Sequence, residues 1–206
     1  MVKLSWGVLT IIPNLLLFLL IVLSLISGKT TIAAGWQVRL LLAVIAVVFV
    51  GLFEELTFRV LINDALLYSL RNNKHIFLWI TIISSLVFGS IHVITGSIFT
   101  DSEVLISAVF MTLSVGISGL CWLLLYWKTR NIWGIALIHA LCDFPSFLSS
   151  ALTETKFSIG GADNYTGAGA IGIGMYLIQI AFSIIAVIIL WNKVGKTIVE
   201  EIRKNW

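Results

Sequence analysis

The chain has 206 residues, 59% of them hydrophobic and only 11% charged, with a mean hydropathy of +1.07. Soluble domains carry about 25% charged residues, so the composition excludes a soluble globular domain and fits an integral membrane protein. The formal charge of +3 is no mark of nucleic-acid binding, because surplus Lys and Arg in a membrane protein gather in cytoplasmic loops.

The first apolar segment, Val8 to Ser27, follows Lys3 and is interrupted by Pro13-Asn14. It is long for a signal-peptide core and reads as a retained span. The second, from about Trp36 to Leu70, exceeds one perpendicular crossing and must tilt or project from the bilayer. Ile76 to Ile94, Val104 to Trp127, Ile132 to Ser150 and Ile171 to Trp191 follow as the remaining spans. The expectation is an all-α polytopic transmembrane bundle of about six spans, forming one membrane-embedded domain over residues 1–206.

Lys3, Arg71, Lys74, Lys128, Arg130, Lys193, Lys196, Arg203 and Lys204 fall on one side of this arrangement, and Lys29, Arg39 and Lys156 on the other. Nine against three places both termini in the cytoplasm. Ile198, Val199, Ile202 and Trp206 recur at helical spacing in residues 192–206, which predicts an amphipathic tail along the interface. Asp101 and Glu103 suit the start of the fourth span as caps. Trp36, Trp127 and Trp191 read as interfacial anchors. Gly167 to Gly172 matches a dinucleotide fingerprint by letter, but no strand precedes it, and close helix packing explains the small residues better. Cys121 and Cys142 lie inside spans and define no disulfide framework.

The polar residues inside these spans carry the chemistry. Glu54-Glu55-Leu56-Thr57-Phe58-Arg59 interrupts the second span, although each charge at a bilayer centre costs about 2.5–3.5 kcal/mol on insertion scales. Glu55 and Arg59 are four apart and can pair on one helical face. Glu54 points about 100° away and is left as a carboxylate without a local partner. The third span holds Phe88-Gly89-Ser90-Ile91-His92, and the fifth His139-Ala140-Leu141-Cys142-Asp143, with His139 and Asp143 again four apart. Pro145 follows and removes a backbone hydrogen bond to the Leu141 carbonyl. Counting from the loop at Arg71 to Lys74 puts Glu54 about 25 Å and His92 about 27 Å deep, whereas His139 is only about 13 Å beyond Arg130.

In order, these three segments resemble the EExxxR, FxxxH and HxxxN/D signature of the CPBP family of intramembrane proteases, the Abi group of CAAX prenyl proteases and bacteriocin-processing enzymes. The similarity covers a core of about residues 36–150. It implies that Glu54 is the general base that activates water and that His92 helps to hold that water. It further implies that His139 and Asp143 steady the oxyanion or complete a metal site, with Glu55, Arg59 and Phe88 in support. Asp143 stands where many members carry Asn, so it would donate a hydrogen bond only when protonated. Glu54, His92 and His139 would also make a Glu/His/His zinc set with an open position for water; activation by Zn2+ and by Glu54 alone both remain open. No nucleotide cofactor is implied.

Gly116-Ile117-Ser118-Gly119 reads as GxSG, the nucleophile motif of rhomboid serine proteases, with His139 on the next span as an available base. Rhomboids place that His two spans after the Ser, where this chain has none, and the reading leaves Glu54, Glu55 and Arg59 unexplained. HExxH is absent, which excludes site-two-type metalloproteases. A proton-coupled transporter, a membrane scaffold and a bacteriocin self-immunity protein are the non-proteolytic alternatives. The reading that accounts for most residues is an intramembrane endopeptidase of the bacterial cell membrane. Its partners are membrane lipid and a peptide or small membrane-protein substrate.

Overall fold

The computed structural model describes residues 4–93, 102–153 and 169–205. Asp101, the loop 154–168 and Trp206 lie outside them, as do the side chains of Glu103, Ile198, Val199 and Ile202, so the capping, loop and tail expectations for those positions have no counterpart here. Among the described residues every regular element is helical. A short 3-10 turn, Leu4–Gly7, leads into α1 (Val8–Ile26). The second apolar run is one continuous helical rod of α2 (Trp36–Glu55), a π-helix (Leu56–Ile62) and α3 (Asn63–Ser69). There follow α4 (Ile76–Ile91), α5 (Ser102–Thr129), α6 (Ile132–Leu152) and α7 (Gly169–Asn205).

Five helices are long and apolar enough to cross a membrane, and Ile76–Ile91 is a shorter apolar helix. Sixteen residues extend about 24 Å, less than the roughly 30 Å of hydrocarbon. The helix ends at Ile91, just before His92; the end expected at Ile94 lies outside the described residues. α7 continues unbroken past Trp191, so residues 192–205 extend the last membrane helix.

α5 is the central helix. Cys121 to Trp127 are seven consecutive buried residues, the all-round burial expected of a helix enclosed by others. α4 and α7 pack on α5, α2 packs on α6, and α1 closes the bundle against α6 and α7. Leu15, Leu19 and Leu23 of α1 and Leu41, Val48 and Phe49 of α2 are exposed, as suits faces turned to hydrocarbon. Trp127 departs from its expected place. It is 3% exposed, and its indole Nε1 donates to Asn63 Oδ1 at 3.1 Å, so it is a core residue rather than an interfacial anchor.

Small residues set the closest crossings. A Cβ on Gly51 would lie 2.8 Å from the Ala136 carbonyl oxygen of α6, and one on Gly116 would lie 2.8 Å from the Ser85 carbonyl oxygen of α4. A Cβ on Gly119 would lie 2.6 Å from Phe88 and 3.2 Å from Arg59 Nη2. The glycines of the GxSG stretch thus let α4 and the Arg59 side chain approach α5.

Candidate active site

The rod from Trp36 to Ser69 carries Glu54 and Glu55 at the end of its α-helical part, and the wider π turns begin at the next residue. Such π segments occur often at functional sites. Arg59 lies within this one, and the pair inferred from spacing forms despite the altered backbone. Arg59 Nε donates to Glu55 Oε2 at 2.9 Å and Nη2 to Glu55 Oε1 at 3.3 Å, with both residues 0% exposed. The guanidinium also sits 4.6 Å from the centroid of the Phe88 ring, a favourable cation–π position.

Glu55 has a second partner that its position in the sequence does not disclose. Its Oε1 lies 2.9 Å from His139 Nδ1. An ionised carboxylate only accepts, so Nδ1 carries the proton there. Gly51, one turn before Glu55, makes this possible, because its missing side chain admits the backbone of α6 at Ala136 and Ala140, beside His139.

Phe88 organises the other histidine. Its carbonyl accepts from His92 Nδ1 at 2.8 Å, and its ring makes edge contacts with the rings of Phe58, His92 and His139. Both imidazoles are therefore held through Nδ1 and present Nε2 to the interior, the orientation that an acceptor on one ring nitrogen imposes on the other.

The two Nε2 atoms converge on Glu54. Glu54 Oε2 lies 3.5 Å from His92 Nε2 and 3.7 Å from His139 Nε2, and this buried oxygen has no hydrogen-bond partner. Asp143 Oδ2 lies 3.2 Å from His139 Nε2. That contact requires one proton between the two groups, so either His139 is a cation or Asp143 is the neutral donor. Glu54, His92, His139 and Asp143, gathered from three separate spans, all line one cavity of about 560 Å3, within the usual range of ligand pockets.

Counting from the loops had left His139 at a different depth from Glu54. The Asn63–Trp127 hydrogen bond accounts for about 7.5 Å of the difference, five residues at 1.5 Å each. Asn63 precedes Arg71 by eight residues, whereas Trp127 precedes Arg130 by three. The Arg71–Lys74 turn accordingly projects farther from the bundle, and the two counts start at different heights.

Zinc takes nitrogen and oxygen donors in a tetrahedral set. Glu54 Oε2 and the two Nε2 atoms are suitable donors, and their separations of 3.5 and 3.7 Å approach the roughly 3.3 Å between ligands of a tetrahedral ion bound at about 2.0–2.1 Å. Among the described residues no group of three His, Cys, Asp or Glu side chains is arranged to hold a metal ion, so these three suit zinc in chemistry but do not form a ready site for it.

Other residues line the cavity without belonging to the three-segment signature. The Trp122 ring stacks on His139 with centroids 4.5 Å apart, and its Nε1 donates to Thr10 Oγ1 of α1 at 3.1 Å. Asn14 and Gln179 also line the cavity. Both are amides within apolar runs, and that was the available signal. Ser118 lines it too, but its hydroxyl is engaged by Ser183 Oγ at 2.8 Å and Gln179 Nε2 at 3.0 Å, which assigns it to helix contact.

No curated protein and no solved structure matches the chain. The family described as type II CAAX prenyl endopeptidase Rce1-like matches residues 35–145, more than half of the chain. The matched segment includes Glu54, Glu55, Arg59, Phe88, His92, His139 and Asp143 and leaves out α1 and α7, which supply the opposite wall of the cavity. The chain therefore belongs to the Rce1-like family of type II CAAX prenyl endopeptidases.

Proposed function

We propose that this protein is an intramembrane endopeptidase in which Glu54 activates a water molecule against a peptide carbonyl. The observation that carries the reading is the unpartnered Glu54 Oε2, faced by two imidazole Nε2 atoms in a cavity inside the bundle. A water there donates one proton to Oε2 and the other to His92 Nε2, which leaves a lone pair for attack. As the C–O bond forms, Glu54 takes the water proton, and the proton shared by His139 and Asp143 is directed at the developing oxyanion. Fixed donors in a site removed from bulk water are strong stabilisers of such charge. Glu54 then returns its proton to the leaving nitrogen as the C–N bond breaks. Proton transfer by a positioned group contributes about 10²- to 10⁴-fold.

Zinc, when bound by Glu54, His92 and His139, would polarise the same water and lower the demand on Glu54. Activity that survives exhaustive chelation supports Glu54 alone; activity lost to a chelator and restored by zinc supports the metal.

The substrates are membrane-associated peptides, and two classes fit: prenylated C-termini, and leader or bacteriocin peptides. The distribution of Lys and Arg supports an orientation with both termini cytoplasmic. The test compares new protein and peptide termini in cells carrying the native chain or Glu54→Gln at equal expression. Termini that vanish with Glu54→Gln support proteolysis and identify the substrate class. Identical profiles overturn it in favour of a scaffold or immunity role.

A further inference from the structure

The cavity has a second polar wall where α1 meets α7. Asn14 Nδ2 donates to the Thr10 carbonyl at 3.2 Å and to Gln179 Oε1 at 3.3 Å. Gln179 Nε2 donates to the same Thr10 carbonyl at 3.2 Å and to Ser118 Oγ at 3.0 Å. A carbonyl can only accept, so Thr10 fixes which end of each amide is nitrogen. A count of the bonds then separates the two side chains. Both N–H groups and the oxygen of Gln179 are engaged. Asn14 has both N–H groups engaged and Cys142 as a further neighbour of its amide, while no hydrogen bond among the described residues reaches its Oδ1, on a side chain that lines the cavity.

A spare amide acceptor within a bilayer protein is tolerated only beside a cavity or a partner. What it lacks is an N–H donor. Acyl and isoprenoid chains carry none, whereas an extended peptide that enters a protein cavity brings backbone N–H groups that must be satisfied. We infer that Asn14 docks the backbone of the substrate, with Oδ1 accepting a peptide N–H a few residues from the bond cleaved at Glu54. Trp122 gives the spacing. Its ring stacks on His139, and its N–H is held by Thr10, whose carbonyl holds both amides. One indole therefore separates the docking wall from the histidine, a gap that an extended chain rising about 3.3 Å per residue covers quickly. Both Asn14 and Gln179 lie outside the segment that matches the family.

The inference rests on the protease reading, and its test separates the two. The full chain is reconstituted in lipid vesicles with two short fluorescent peptides, one ending in a prenylated CAAX sequence and one a leader peptide, each prepared with one backbone amide N-methylated at a time. Cleavage by the native chain and binding to Glu54→Gln are both measured. One N-methylation away from the scissile bond is expected to raise KM in the native chain, and Kd for Glu54→Gln, by about three- to tenfold, with kcat little changed. The same N-methylation is expected to have no effect in Asn14→Leu. Cleavage with no position sensitive in the native chain overturns the docking role and leaves the protease reading standing. Binding that is sensitive at one position without cleavage keeps the docking role and overturns the protease reading. Neither binding nor cleavage overturns both. The measurements on native chain and Glu54→Gln decide the matter even where Asn14→Leu fails to fold.

Discussion

His139 and Glu55 meet at 2.9 Å between Nδ1 and Oε1, across 84 positions of sequence and two helices. Glu55 is thereby bound to Arg59 on its own rod and to His139 on α6, whereas the adjacent Glu54 leaves Oε2 without a hydrogen bond, 3.5 and 3.7 Å from the two imidazole Nε2 atoms. Two neighbouring carboxylates thus have opposite duties, one holding the site together and one open to a reactant.

This division predicts that stability and activity separate between the two residues. Glu54→Gln removes a charge whose Oε2 makes no hydrogen bond, so the unfolding temperature in detergent should match the native value. Cleavage should fall by about 10²- to 10⁴-fold. A Glu54→Gln protein that unfolds like a broken ion pair would contradict the assignment.

Arg59→Met should behave in the opposite way. It leaves the buried Glu55 carboxylate facing His139 alone, and removing one partner of a buried pair costs about 3–5 kcal/mol. Because Glu55 and Arg59 act as one unit, the double change Glu55→Gln with Arg59→Met should cost less than the sum of the two single changes. Denaturation of all four proteins in one detergent would measure the coupling, and strict additivity would refute it.

Thr10 supplies a third prediction, from outside the segment that matches the family. Its hydroxyl oxygen accepts the indole N–H of Trp122, which stacks on His139. Thr10→Val keeps the branched shape and loses that acceptor, so the indole is freed to tilt and His139 with it. The expectation is a fall in kcat of about three- to tenfold with KM retained, and recovery in Thr10→Ser. A change in KM alone, or no recovery with Ser, would mean that Thr10 merely supports packing.

How far the sequence disclosed this site depends on range. The rod from Trp36 to Ser69 was legible because an apolar run longer than a bilayer crossing leaves few alternatives, and the Glu55–Arg59 pair because four-residue spacing is a local property. The π turns at Leu56–Ile62 were not, since no residue type there demands a wider helix. Nor was the Glu55–His139 bond, which depends on how closely two helices approach. Trp127 departs from the expected interfacial place because position near a span end does not fix exposure, and Asn63 draws its indole inward. Asn14 and Gln179 were visible as polar residues in apolar runs, but their common attachment to the Thr10 carbonyl is tertiary.

The approach of α2 to α6 yields the last prediction. A Cβ on Gly51 would meet the Ala136 carbonyl oxygen at 2.8 Å and the Ala140 nitrogen at 3.2 Å, both backbone atoms that cannot rotate aside. Gly51→Ala should therefore push the helices apart at the level of Glu55 and His139, with an overpacking cost of about 1–3 kcal/mol. Because the displaced contact is the one that orients His139, cleavage should drop by more than the loss of folded protein explains. The check is kcat per folded molecule, with the folded fraction taken from thermal unfolding of the same sample. If kcat per folded molecule is unchanged, the helix crossing serves stability alone, and the precise placement of His139 by Glu55 is not what limits the reaction.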